Sequence, residues 1–106
     1  MALSKSDILS AAKPLPPEPL EVEALGGTVY VARLSAKGAD EYARDLKTAA
    51  DEHVRGTILA HALVSEAGVR LFAVADAPAL AELPKPVADA VCDTFSDVNE
   101  LNPKKA

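Results

Sequence analysis

The sequence has no tryptophan, one cysteine and four aromatic residues, Tyr30, Tyr42, Phe72 and Phe95. A single thiol, Cys92, excludes an internal disulfide framework. No apolar run approaches the roughly 20 residues that cross a bilayer as a helix. The opening MALSKSDILSA carries one lysine and no long apolar stretch, so it does not read as a secretory signal. Basic residues are outnumbered, 11 against 16 acidic, for a net charge of −5. That balance argues against nucleic acid and against an anionic membrane surface as partners. These deficits together describe a soluble, acidic protein of the cytoplasm.

What remains is alanine, leucine and valine. A chain of 106 residues suits one domain with one modest core. Alanine buries little area, and burial is worth roughly 25 cal/mol per Å2, so modest monomer stability and some gain from self-association are expected.

The clearest helix lies near the end. Val87, Val91, Phe95 and Val98 form one stripe of a 3.6-residue period after Pro86, with Asp89, Asp93, Asp97 and Glu100 on the other faces. At the start, Ser4 to Asp7 has the form of a capping box ahead of Ile8 and Leu9, enough for about two turns. The proline-rich run Lys13 to Pro19 then forbids helix. Residues 1–19 therefore read either as a stiff tether or as an arm that docks on a neighbour. Residues 20–101 read as the single globular domain, and 102–106 as a polar tail.

Within the domain, residues 20–25 and 28–33 alternate around Gly26-Gly27, the pattern of a β-hairpin with a two-residue turn. That turn sets Ala24 opposite Val29 and Val22 opposite Val31 on an apolar face, with Glu21 and Glu23 on the other. Ser35 caps a helix to about Leu46 that carries Tyr42, and a break is expected near Asp51. A further helix is expected from about Glu52 to Ser65, ended by Gly68. Val69 to Phe72 reads as a third short strand or as an extended link whose Leu71 and Phe72 plug the core. Asp76 and Pro78 open a short helix, stopped by Pro84. The predicted class is α+β, mainly α, with about four helices in the domain and one antiparallel hairpin.

No constellation of catalytic residues emerges. His53 and His61 are eight apart and form neither a HExxH site nor an i, i+4 metal pair. Cys92 lies beside the Val87–Val98 stripe and reads as a packing residue. Gly26-Gly27 lacks the Lys-Ser/Thr and helix of a phosphate loop. The Asp89, Asp93, Asp97 row is a solvated helix face rather than a converging calcium loop. A non-enzymatic protein without cofactor or metal is expected.

Several segments in this order are familiar: a proline-bearing arm, the hairpin EVEALGGTVYVARLSAK, the run HVRGTILAHALVSEAGVRLF, and the segment Asp76 to Pro84. A terminal helix closing on Asn99-Glu100-Leu101-Asn102 completes the set. From about Leu20 to Leu101 the chain resembles the tail assembly chaperones of long-tailed bacteriophages and prophages. Glu66-Ala67-Gly68 departs mildly from the acidic-glycine turn usual before the Leu-Phe pair. The resemblance implies a chaperone that binds the tape measure protein, keeps its apolar helices soluble, and recruits tail tube protein. It also implies self-association and absence from the finished virion. Many members are made in two lengths by a ribosomal frameshift. Pro103-Lys104-Lys105 is compatible with a slippery run and equally with a solubilising basic tail. The first candidates for a protein-binding surface are Ile8 and Leu9, which the domain core does not need. The alternative is a small acidic regulatory or adaptor domain binding one protein partner.

Overall fold

In a computed structural model, the described residues are 2–13 and 15–101. The polar tail at 102–106 and Pro14 of the tether lie outside them. The described residues form an α+β domain, mainly α, with five helices and a three-stranded antiparallel sheet. None of the helices is long and apolar enough to cross a membrane.

Helix α1, Lys5–Ser10, belongs to the arm. The four body helices are α2 (Ala36–Thr48), α3 (Val54–Ala62), α4 (Ala77–Leu80) and α5 (Lys85–Val98). Strands β1 (Glu18–Val22), β2 (Gly27–Val31) and β3 (Leu63–Val64) make a sheet of order β1-β2-β3.

The hairpin is present, in a different register from the one the glycine pair predicts. Val22 faces Gly27 and Leu20 faces Val29, because a 3-10 turn over Glu23–Leu25 removes Ala24 from the ladder. Gly26 ends that turn in the left-handed region, at φ 72°, and Gly27 is already in β2. The slip covers an even number of residues, and side chains alternate with period two, so the apolar face survives it. Val22 and Val31 are both buried. The strand starts inside the proline-rich run and includes Pro19, which lacks a ladder donor; β1 lies at the sheet edge, where proline is tolerated.

Helix α3 is shorter than its composition suggests. It stops at Ala62, and Leu63-Val64 turn extended to pair with Val31 and Tyr30. Gly68, at φ 87°, makes the following tight turn, and Arg70 bridges back to Val64. The third strand thus comes from the end of the expected helix. Of the two residues expected to plug the core, Phe72 packs against it, whereas Leu71 is 58% exposed.

The core forms where α3 meets its neighbours. Gly56, Thr57, Leu59, Ala60, His61 and Ala62 are all buried, so α3 is covered around most of its circumference. It packs on α2, α4 and α5, while α5 also touches β1 and β2. Val87, Val91 and Phe95 of the α5 stripe are essentially inaccessible, and Val98 packs against the same cluster. The core is closed by this chain alone.

Candidate functional site

The arm is built to hold a short helix without help from the body. The Ser4 side chain accepts from the Asp7 N–H at 3.2 Å, and Asp7 accepts from the Ser4 N–H at 3.0 Å. This reciprocal capping box satisfies two N-terminal donors of α1. The Ser4 backbone N–H first, and its hydroxyl second, favour the charged form of the Asp7 carboxyl and hold it below its usual range.

None of the residues of α1 is buried. Ile8 and Leu9 are each 59% exposed, with Leu3 and Leu15 exposed on either side of them. The sequence-derived candidates therefore stand outside the core on one pre-formed turn. The molecule extends 49 Å along its long axis, and its radius of gyration is 14.9 Å, against about 13 Å for a compact chain of this size.

Between the arm and the body runs a groove of about 690 Å3. Leu15 and Pro17 line it from the arm, Leu34 from the link into α2 and Lys37 from the first turn of α2, with Val64 of β3 also contributing. Of the β2–α2 link, the sequence singles out Ser35 alone, as a helix cap and not as part of a site. A signal was available in Leu34, an apolar residue between a strand and a capped helix with no place on the stripe of either.

A second apolar area occupies the segment after β3, where Val69, Leu71 and Val74 are exposed. Arg70 in this segment reaches back, its guanidinium donating to the Ala60 carbonyl at 3.3 Å. That bond caps one of the last carbonyls of α3.

The polar residues that might have carried chemistry are engaged structurally. His61 is buried; its Nε2 donates to the Asp45 carboxylate at 2.8 Å, and its ring meets Tyr42 edge-on at 5.3 Å. Tyr42 in turn meets Phe95 at 5.2 Å, so this column ties α2 to α3 and α5. Cys92 is half-buried, and burial pushes its thiol up, away from the thiolate a nucleophile requires. Asp89 is not merely solvated: it accepts from Arg55 of α3 at 2.5 Å and from Lys85 at 2.7 Å. The Lys85 bond, with Arg55 adding to it, lowers the Asp89 carboxyl. Among the described residues there is no group of three or more His, Cys, Asp or Glu placed to hold a metal.

In comparisons with known proteins, no family model, no curated protein and no solved structure matches this chain.

Proposed function

We propose that this protein is a non-enzymatic tail assembly chaperone of a long-tailed bacteriophage or prophage. It binds the tape measure protein, keeps it soluble in the host cytoplasm, and yields it to tail tube subunits as the tube grows. Family resemblance supplies the identity of the partners. The observation that carries the binding mode is the arm: α1 is capped, solvent-exposed and displays Ile8 and Leu9, while the core closes without it. Leaving two large aliphatic side chains in water forgoes about 1.5–3 kcal/mol each, which a partner surface recovers on binding. An amphipathic helix laid against the apolar stripe of another helix is a standard mode of segment recognition. The modest core and second exposed apolar area around Leu71 also favour self-association.

The reading expects a long coiled-coil-rich reading frame beside this gene, and the test is co-expression with its product, the tape measure protein. A chaperone raises the soluble fraction of that protein and co-purifies with it. A partner that stays insoluble, or that is equally soluble alone, contradicts the reading.

A further inference from the structure

The groove between arm and body has a charge sign opposite to that of the chain. Its cationic lining residues are Lys13, Arg33 and Lys37, and no carboxylate lines it among the described residues, although acidic residues outnumber basic ones overall. Arg33 is neutralised by its ion pair with Glu18. Lys13 and Lys37 have no ion-pair partner among the described residues, one standing on the arm and the other on the first turn of α2. Between them the wall is apolar, from Leu15, Pro17, Leu34 and Val64.

We propose that this groove is a charge-selective clamp for an amphipathic helical segment carrying acidic residues beside its apolar stripe. This rests on the chaperone reading and adds to it the chemistry of the captured segment. The apolar stripe lies against Leu15 and Leu34, while flanking carboxylates meet Lys13 and Lys37. Because Lys13 belongs to the arm and Lys37 to the body, an acidic segment draws the two walls together. A basic segment is repelled by both.

Two synthetic peptides of about 14 residues, four helical turns, test this with the full chain. They share one leucine stripe and differ in having glutamate or lysine flanks. Fluorescence anisotropy reads their affinity for the native protein, for Lys13→Glu/Lys37→Glu, and for Ile8→Ser/Leu9→Ser. Two exposed ion pairs set the expected discrimination on the order of tenfold in favour of the glutamate peptide, reduced by added salt. The charge-reversed variant inverts the preference, with an unchanged circular dichroism spectrum. Equal binding of both peptides overturns the clamp and leaves arm capture standing. Binding of neither overturns both. Light scattering supplies the remaining outcome: if charge reversal changes oligomer size and leaves peptide affinity alone, a second copy occupies the groove, and the proposal falls.

Discussion

Asn99 clasps Leu34 across the fold: its side-chain oxygen accepts from the Leu34 N–H at 2.7 Å, 65 residues away in sequence. The amide nitrogen of the same side chain donates to the Ala32 carbonyl at 2.9 Å and to the Phe95 carbonyl at 3.0 Å. One residue at the end of α5 thus fixes the link that leaves the sheet for α2, and with it one wall of the groove. Replacing Asn99 by alanine leaves partly buried backbone groups unpaired and is expected to cost about 2–3 kcal/mol. Urea denaturation checks it; a midpoint within error of the parent's would show that the clasp does not hold the link.

Helix α3 meets the start of α4 backbone to backbone at Gly56. A Cβ there would lie 2.0 Å from the Ala77 carbonyl oxygen, a backbone atom that cannot rotate away. On a solvent-facing helix, glycine to alanine stabilises by about 1 kcal/mol. Here overpacking decides the sign, and Gly56→Ala is expected to destabilise by about 3 kcal/mol. A melting temperature at or above that of the parent would mean that the two helices do not meet in this way.

The end of α5 carries a removable strain. Glu100 sits at φ 54°, where the Leu101 N–H reaches the Ser96 carbonyl at 2.8 Å and the Glu100 N–H reaches Asp97 at 3.3 Å. This is the C-terminal turn in which glycine is preferred. Glu100→Gly relieves the left-handed strain but admits more freedom to the unfolded chain, for a net gain of about 0.5–1 kcal/mol. Equilibrium denaturation should show a higher midpoint with an unchanged slope; a lower midpoint would contradict the strain argument.

Burial raises the Cys92 thiol, with Arg55 opposing the shift and Asp93 and Asp89 adding to it. The folded thiol therefore keeps its proton in a range where an unfolded one has lost it. The corresponding stability is present below the unfolded value and is lost as pH rises through the folded one. A disulfide reagent at pH 8 is expected to modify native protein more slowly than urea-unfolded protein. Equal rates would place Cys92 in contact with solvent.

The parts legible in sequence are those whose signal is local. The α5 stripe is covered on one side only, so its period survives in Val87, Val91 and Phe95. The Ser4 and Ser35 caps act within one turn of themselves, and both form. Helix α3 is covered nearly all round, so its apolar pattern has no clean edge. Its early end at Ala62 follows from pairing with Tyr30 and Val31, which no window around Leu63 contains. The hairpin register depended on whether Gly26 or the Gly26-Gly27 pair made the turn, a choice settled by the 3-10 geometry of Glu23–Leu25. At the site, the exposure of Ile8 and Leu9 was legible because the core could be filled without them. The groove was not, since Lys13, Leu34 and Val64 meet only through the tertiary fold.

The central claim is that Ile8 and Leu9 are the arm's contact with the tape measure protein. It is tested most directly by the affinity of the full chain and of Ile8→Ser/Leu9→Ser for that protein. Neither side chain is buried in the fold, so the double variant should unfold at the parent's temperature. About two-fifths of each residue is already covered in the free protein, so losing the further burial of both in the complex should cost about 2–3 kcal/mol, an affinity about 30- to 150-fold weaker. Equal affinity of the variant and parent chains would contradict the account.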